Sequence, residues 1–545
     1  MLFNSFEYLI FLPIVFLLYW FVFDYALSKC KHQLWLQNLF IVVASYIFYG
    51  WWDWRFLILI AITTFCSWAS GLLIGKRSPE VTRREGEEAK EKNTPYTLHL
   101  TQKPNFWPRF WLISNIILNL GILGVFKYYD FFAREFAQLF GIESEFLLLH
   151  LILPVGISFY TFQALSYSID VYRGHIQPTK DIVAFTAFLS FFPQLVAGPI
   201  ERATNLLPQF QRKRTFDYAQ AVDGMRQILW GLFKKIVIAD NCAVYVDQVW
   251  ATYDTQSGST LLLAAILFTF QIYGDFSGYS DIAIGSAKLF GIQLMRNFNV
   301  PYFSRDIAEF WRRWHISLTT WFRDYVYIPL GGSRPTIPDW LQCKVKSVKC
   351  KDSDNNVPTS NIQHLTSNIQ HLTHPTQKII NRYTKAIAVR NTFIIFLLSG
   401  FWHGANWTFI VWGIYHALLF VPLLLMGKNR RYVHPKINAS EWPRMLFTLV
   451  LVMVGWVLFR APSIADAWGY VCGMGTASLF TLPMITDPIV WVTIAMIVLM
   501  MVCEWRGREQ DTAPLPHNRW VYYAVVLLIY WFATDKTTEF IYFQF

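Results

Sequence analysis

Charged residues are scarce in this sequence. Asp, Glu, Lys and Arg make up 15% of its 545 residues, whereas about 25% is usual for a soluble domain. Hydrophobic residues contribute 54% and aromatic residues 18%. So little charge excludes an ordinary water-soluble enzyme, and the apolar excess predicts an all-α polytopic integral membrane protein.

Cysteine is also scarce, with seven residues and no Cys-x-x-Cys pair. Cys343 and Cys350 share one segment, and we expect reduced thiols rather than a disulfide framework. His364, His371 and His374 lie in polar low-complexity sequence, so we expect no metal site there. The sequence contains no Ser-His-Asp or nucleophilic cysteine motif, which argues against an acyl-serine or acyl-cysteine intermediate.

Basic residues nevertheless outnumber acidic ones, and the net charge is +11. In a membrane protein this excess is typical of cytoplasmic loops, so we expect no nucleic-acid partner. The polar segment 76–108 is predicted to be such a loop. A second polar insert, 335–389, contains the heptapeptide Thr-Ser-Asn-Ile-Gln-His-Leu twice and is predicted to be disordered. The chain 1–545 is otherwise expected to form a single membrane domain.

Long apolar runs alternate with polar segments and predict about eleven or twelve membrane elements. Two interruptions carry acidic residues that open lipid would not tolerate. Gln194–Arg202 runs into Gly-Pro and a charge pair, which favours a re-entrant or interfacial element. Gly274–Asp281 combines glycines with Asp275 and is expected to line a cavity or an interface.

One apolar run, Phe393–Leu425, contains no charged residue but holds a histidine between two glycines. Gly400 and Gly404 bracket His403, so the helix can break there, which is tolerated only inside protein or beside a wet cavity. An imidazole at such a break is a candidate functional group, although a histidine that packs between helices is the structural alternative. Asn406 either orients His403 or caps a helix.

A second histidine lies in the densest polar segment, Ser304–Tyr325. On one continuous helix, Trp311 and His315 would share a face. Arg312 and Arg313 would suit an anionic partner such as phosphate. The alternative is a juxtamembrane helix whose arginines contact lipid headgroups.

These motifs resemble those of the membrane-bound O-acyltransferase family. Trp311–Leu330 contains Trp-His-Ile-Ser-Leu-Thr-Thr-Trp-Phe-Arg-Asp-Tyr, and Ser399–Gly413 contains Phe-Trp-His-Gly-Ala-Asn-Trp. The chain is most similar to the bacterial branch that contains the alginate O-acetyltransferase membrane subunit and the D-alanine transfer protein of teichoic acids. Phe192–Arg202, Gly274–Asp281 and Phe540–Phe545 also fit this branch.

The resemblance implies a ring of helices around a central funnel that opens to the cytoplasm and meets a pocket from outside. It implies that His403 is catalytic and that His315 occupies the family's partner position. The chemistry agrees, because a neutral imidazole is well suited to take a hydroxyl proton during acyl transfer.

The expected function is therefore transfer of an acyl group, with acetyl favoured, to an extracytoplasmic polysaccharide such as alginate. The donor would be a cytoplasmic thioester, either acetyl-CoA or an acyl carrier thioester, with no tightly bound cofactor. An extracytoplasmic SGNH-type partner would complete the transfer, and the protein would be a multi-pass component of the bacterial inner membrane. The alternatives are D-alanyl transfer from a carrier protein, or a transporter or flippase, which would show internal repeats.

The chain ends in an aromatic tail, residues 540–545, with four aromatics in six residues. Arg506, Arg508 and Arg519 precede the last apolar run, so the tail is expected outside the cell membrane. Burial contributes roughly 1.5–3 kcal/mol per large side chain, so the tail should dock against the protein or the membrane interface. It is either an aromatic anchor or, as the resemblance implies, an acyl relay through the hydroxyl of Tyr542.

Overall fold

The structure is a computed structural model that describes residues 1–75, 106–196, 198–332, 374–433, 436–485, 487–510, 512–533 and 540–541. These residues form helices and loops without a β-strand, which confirms the predicted all-α class. Eight apolar segments among them are long enough to cross a membrane. Shorter helices lie between these segments, and the predicted total of membrane elements is not tested by length alone.

Twenty α-helices follow one another along the described residues. π-Helical segments extend α1 through Ala26, join α4 to α5 and α10 to α11, and follow α14. The helices are α1 Phe6–Leu17, α2 Gln33–Asp53, α3 Leu57–Gly75, α4 Phe106–Leu123, α5 Tyr129–Phe140, α6 Ile157–Tyr172, α7 Ile182–Ser190, α8 Phe192–Leu195, α9 Ala203–Phe210, α10 Tyr218–Leu232, α11 Asp240–Ala251, α12 Gly258–Leu289, α13 Ile307–Arg313, α14 Ile316–Phe322, α15 His374–His403, α16 Trp407–Leu425, α17 Trp442–Arg460, α18 Ile464–Met474, α19 Ile489–Gly507 and α20 Arg519–Phe532.

The two ends of this helical assembly differ in charge. Lys29 and Lys31 precede α2, Lys428–Arg431 follows α16, and Arg506 and Arg508 lie at the end of α19. The positive-inside bias predicts that this basic end faces the cytoplasm. The predicted cytoplasmic loop 76–108 lies outside the described residues, apart from its last three, which begin α4.

Helices α6 and α12 form the buried centre of the protein. Nearly every residue of α6 is buried, and α12 packs along α10 and α11. Gly274–Asp281 lies in the middle of α12 and is almost entirely buried, which confirms the expectation that it cannot face lipid. Lys234, on the π-helical segment between α10 and α11, pairs with Asp281 at 2.5 Å, so these opposite charges compensate one another inside the protein.

The Gln194–Arg202 region turns inside the protein, as a re-entrant element would. Short helices α7, α8 and α9 surround it, and Glu201 and Arg202 are both buried. The Arg202 guanidinium donates to the Ser317 carbonyl oxygen at 3.2 Å and to Thr320 Oγ1 at 3.2 Å. The re-entrant segment is therefore attached to α14, the helix that follows His315.

The second polar insert is shorter than predicted. Residues 333–373 lie outside the described part, but residues 374–389 form the first half of α15. The predicted end of the insert, residue 389, lies just before the uncharged apolar run Phe393–Leu425. Lys, Arg and Gln are good helix formers, so the helix continues past that run toward the cytoplasm, and the prediction of disorder through residue 389 is wrong.

Helices α15 and α16 form a tight antiparallel pair around the expected break. α15 ends at His403 and α16 begins at Trp407, which confirms the break. The role of Gly400 differs from the one expected, because it lies within the helix and in close contact with α16. A Cβ atom at Gly400 would lie 3.0 Å from the carbonyl carbon of Phe409 and closer still to its oxygen, so this position requires glycine.

Candidate active site

His315 lies at a break between two short helices. α13 ends at Arg313, α14 begins at Ile316, and His315 has a left-handed backbone with φ of +44°. This conformation is uncommon for a residue with a side chain, although histidine adopts it more often than most. The prediction that Trp311 and His315 share one face of a continuous helix is therefore wrong.

Asn297 stabilises this break from a distance of 18 residues along the chain. Its backbone carbonyl accepts from Ile316 N at 2.8 Å, and its Oδ1 accepts from Ser317 Oγ at 2.9 Å and contacts His315 Nδ1 at 3.0 Å. Its amide donates to Ser280 Oγ at 3.1 Å. Because Nδ1 must donate to this oxygen, the neutral ring keeps Nε2 as an acceptor. Nε2 has no hydrogen-bond partner among the described residues, so it is available to a substrate.

His403 is the last residue of α15 and is surrounded by aromatic rings. The ring centroids of Trp402, Trp412 and Phe459 lie 5.0, 5.2 and 5.1 Å from its own. Trp402 also contacts His315, with centroids 5.9 Å apart. The two histidines that the sequence singled out therefore meet around one indole ring.

The π-helical segment between α4 and α5 holds the end of α15. Lys127 Nζ donates to the carbonyl oxygens of Trp402 and His403 at 2.7 and 2.9 Å. Tyr128 Oη donates to the carbonyl oxygen of Phe401 at 2.9 Å. The last carbonyl groups of a helix have no partner within that helix, so these two side chains fix the turn that carries His403.

An inner cavity of about 810 Å³ extends from both histidines toward the cytoplasmic end. His315 and His403 line its deep part, and Trp311 lines its wall. Arg323 and Arg430 also line it, close to loops that the charge distribution places in the cytoplasm. Its size is in the range of cavities that bind small molecules and cofactors.

The two neighbouring arginines of α13 differ in their partners. Arg313 donates to Glu309 Oε1 at 3.0 Å and to the Asn299 carbonyl oxygen at 3.2 Å, so its charge is compensated within the protein. Arg312 Nη1 donates to the Asn429 carbonyl oxygen at 2.8 Å, but its buried Nη2 has no hydrogen-bond partner among the described residues. Arg312 is therefore the better candidate for an anionic ligand in the inner cavity.

An outer cavity of about 240 Å³ lies on the opposite side of His403. It is lined by Trp52 at the end of α2, by Lys127, and by residues 152–159 of the loop before α6 and its first turn. α2 starts at the basic end and Trp52 lies near its other end, so this cavity opens away from the basic end, on the side that the positive-inside bias predicts to be extracytoplasmic. Of the residues described in the structure, only His403 lines both cavities.

Asn406 caps a helix. Its Oδ1 accepts from Thr408 N at 3.0 Å at the start of α16, and its Nδ2 donates to the Pro462 carbonyl oxygen at 3.1 Å. It is absent from the lining of both cavities. Of the two alternatives in the sequence, the capping role matches this geometry.

Asp275 binds the C-terminal tail instead of lining a cavity. It pairs with Lys235 at 2.7 Å, and its Oδ2 accepts from the backbone N–H of Ile541 at 2.6 Å. Phe540 is completely buried and packs on Tyr279, with ring centroids 4.4 Å apart. The expectation that the tail docks is therefore confirmed for its first two residues, which lie in the protein interior.

The docked residues of the tail, 540–541, lie close to His315. Phe276 contacts Phe540 on one side and His315 on the other, with ring centroids 5.8 and 4.7 Å away. Tyr542, the candidate relay, lies outside the described residues. Within the described part of the tail, Phe540 is separated from His315 by the ring of Phe276.

Sequence reasoning missed two residues of this site, Asn297 and Lys127. Lys127 is an isolated cation within the apolar segment Phe106–Phe140, and such a residue is a functional candidate by default. Asn297 gave no comparable signal, because its role depends on a turn that brings it back to His315. Among the described residues, no three His, Cys, Asp or Glu side chains could together hold a metal ion.

Comparison with known proteins shows the family of this chain. Residues 176–339 match the family described as "MBOAT, membrane-bound O-acyltransferase family". The chain is 36% identical over 462 residues to "Probable alginate O-acetylase AlgI" of Azotobacter vinelandii, covering 84% of this chain and 76% of that protein. It is 33% identical over 493 residues to "Peptidoglycan O-acetyltransferase" of Helicobacter pylori, covering 85% and 77%.

A more distant relative transfers a different group. "Teichoic acid D-alanyltransferase" of Bacillus subtilis is 27% identical over 318 residues, covering 57% of this chain and 69% of that protein. The matches above 30% identity extend over most of both chains, and this extent establishes the family relationship. The chain is a multi-pass O-acyltransferase and belongs to the membrane-bound O-acyltransferase family.

Proposed function

We propose that this enzyme transfers an acetyl group from a cytoplasmic thioester to an extracytoplasmic polysaccharide such as alginate. The observation that carries the proposal is the position of His403, the one described residue that lines both cavities. A base at that position can take a proton from a group in the outer cavity and serve a donor in the inner cavity. The protein then acts within the bacterial inner membrane.

The reaction needs one base and one leaving group. His403 accepts the proton of the acceptor hydroxyl while the hydroxyl oxygen forms a bond to the thioester carbonyl carbon. The carbonyl electrons move to oxygen and then return, and the C–S bond breaks. The thiolate receives the proton from His403, so thiol and ester are the products.

His315 supports this step from the inner cavity. Asn297 holds its ring so that Nε2 is free to accept a hydrogen bond. We assign it to positioning the donor or the departing thiol, because it lines the inner cavity but not the outer one. Trp402 packs against both rings, with centroids 5.9 Å from His315 and 5.0 Å from His403, and it lines the outer cavity.

The donor in this proposal is acetyl-CoA, with an acyl carrier thioester as the related alternative. The inner cavity is long enough to reach from the basic loops to both histidines. Arg312 Nη2 is buried and has no hydrogen-bond partner within the described ranges, so it offers a charged donor to an anionic part of the thioester. No tightly bound cofactor is needed, because the donor is consumed as a substrate.

The tail is proposed to connect the enzyme with its acceptor. Asp275 holds Ile541, and Phe276 packs between Phe540 and His315. This position of the tail near one of the two histidines supports Tyr542 as the first acceptor of the acyl group. An extracytoplasmic SGNH-type partner would then move the group to the polysaccharide.

Acetyl is preferred to D-alanyl because the relatives with higher identity and longer coverage are named for O-acetylation. The D-alanyl alternative depends on relatives at 27% identity. The transporter interpretation is set aside because the chain belongs to an acyltransferase family.

The test compares two buried histidines that differ in their access to the cavities. His403→Gln should abolish acetylation of the polymer and release of thiol from acetyl-CoA in membranes, with a normal amount of folded protein. His416→Gln is the matched control, because His416 is equally buried but lines neither cavity. Wild-type thiol release and ester content in His403→Gln would show that the proposal is wrong.

A further inference from the structure

Lys127 occupies an unusual environment for a cation. It lies in the apolar segment Phe106–Phe140, in the π-helical turn between α4 and α5. Its ammonium has no carboxylate within ion-pair distance among the described residues. Asp130, three residues on, accepts instead from the backbone N–H groups of Leu149 and His150. A charge inside a membrane segment is costly and is kept where it has a function.

The partners of this ammonium are the last two carbonyl groups of α15, at Trp402 and His403. The carbonyl end of a helix carries partial negative charge, which a cation complements. A π-helical turn inserts one extra residue into a helix and occurs often at functional sites. Here it directs Lys127 across to the end of a different helix.

Lys127 is also the one charged side chain among the described residues that line the outer cavity, apart from the titratable His403. An ammonium group has three donors, and two are used on α15. Its third donor is left for the cavity or for the face of Trp402, whose ring centroid is 5.8 Å away. The same cation therefore contacts the backbone of the catalytic turn and the space that receives the acceptor.

We propose that Lys127 is a positioning residue that fixes His403 through the end of α15. This inference rests on the proposed role of His403 as the base. Loss of the ammonium frees two carbonyl groups at the turn that carries the imidazole, and that turn shifts. The donor site is unaffected, because Lys127 does not line the inner cavity.

The experiment measures kcat and KM for acetyl-CoA in purified protein, by thiol release in the presence of acceptor. Lys127→Met keeps the length of the side chain and removes its charge and donors. A displacement near 1 Å costs about 100-fold in rate, so kcat should fall by about that factor while KM for acetyl-CoA changes less than about twofold. Lys127→Arg keeps the charge and the donors, and it should recover at least about one tenth of the wild-type kcat.

Two control variants separate this role from general stabilisation. Tyr415→Phe removes a hydrogen bond of the same kind, from Tyr415 Oη to the Leu451 carbonyl oxygen at 2.8 Å, at a residue that lines neither cavity. Lys385→Met removes a lysine that donates to the Leu425 carbonyl oxygen at 3.0 Å, at the exposed end of α16. Both controls should keep kcat near wild type, and the melting temperature of Lys127→Met should match that of Tyr415→Phe.

Three results would overturn the inference: wild-type kcat in Lys127→Met, an equal loss in Tyr415→Phe, or no recovery in a folded Lys127→Arg. The His403→Gln variant, measured beside them, keeps this inference separate from the proposed function. If His403→Gln is inactive and Lys127→Met is normal, only the role of Lys127 is refuted. If His403→Gln is active, the proposed function itself is refuted.

Discussion

Gly400→Ala is the sharpest test of how the α15–α16 pair positions the base. The added Cβ would lie 3.0 Å from the carbonyl carbon of Phe409, whereas non-bonded carbon atoms rest at roughly 3.5–4.0 Å. The two helices must therefore separate locally by about 0.5–1 Å. The contact is with backbone, so no side chain can rotate away to relieve it.

The expected losses of stability and of kcat in Gly400→Ala follow from this displacement. Overpacking of a close contact costs typically about 1–3 kcal/mol of stability, which the protein should survive. His403 lies one turn further along α15, and a shift approaching 1 Å can cost about 100-fold in rate. We expect kcat to fall by about 10- to 100-fold, in a protein that is folded but melts at a lower temperature.

The assay combines thiol release from acetyl-CoA with thermal unfolding in detergent. Gly121→Ala, on α4, is the matched control, because no atom lies within 4 Å of its added Cβ. Alanine is also the better helix former there, so this variant should be as active and at least as stable as wild type. Wild-type kcat and melting temperature in Gly400→Ala would refute the idea that backbone contact between α15 and α16 sets the position of His403.

Tyr542→Phe keeps the ring of the tail and removes its only hydroxyl, so a relay through this residue predicts loss of polymer acylation with the protein still folded. Ester content on the isolated polymer is the measurement, and near-wild-type acylation would leave the tail as an anchor only. Replacement of residues 353–373 by a short Gly/Ser linker should leave protein amount and acylation near wild type, because the polar heptapeptide repeat offers little apolar surface to bury. Lost activity at a normal protein amount would show that this segment recruits a donor or partner.

The sequence was sufficient for features that depend on local composition. Apolar length predicted the membrane class, and the uncharged run around His403 predicted the break between α15 and α16. Acidic residues in Gly274–Asp281 predicted that this stretch avoids lipid, as the structure confirms. Each of these depends on residues close together in the chain and on the cost of polar groups in hydrocarbon.

Features that depend on distant residues were not predictable in this way. The left-handed backbone of His315 is stabilised by Asn297, which reaches it through a loop. Gly274–Asp281 was expected to line a cavity or an interface, but the sequence did not indicate that Asp275 accepts from the backbone N–H of Ile541, 266 residues away. Lys127 follows directly after an apolar run in the sequence, but nothing in the sequence indicated that a π-helical turn directs it toward α15.

The arrangement of two cavities separated by the His403 ring has an electrical consequence. If both cavities are filled with water, most of the membrane voltage falls across that ring, where one elementary charge gains about 2.3 kcal/mol per 100 mV. In the proposed reaction, a proton leaves a hydroxyl on the outer side and departs with a thiol on the inner side. The acetyl group crosses the ring in the opposite direction and leaves its electron pair on sulfur, so neutral reactants give neutral products on each side and no net charge crosses the voltage. The thioester alone therefore supplies the driving force, and the reaction should run equally well whether or not the membrane is energised.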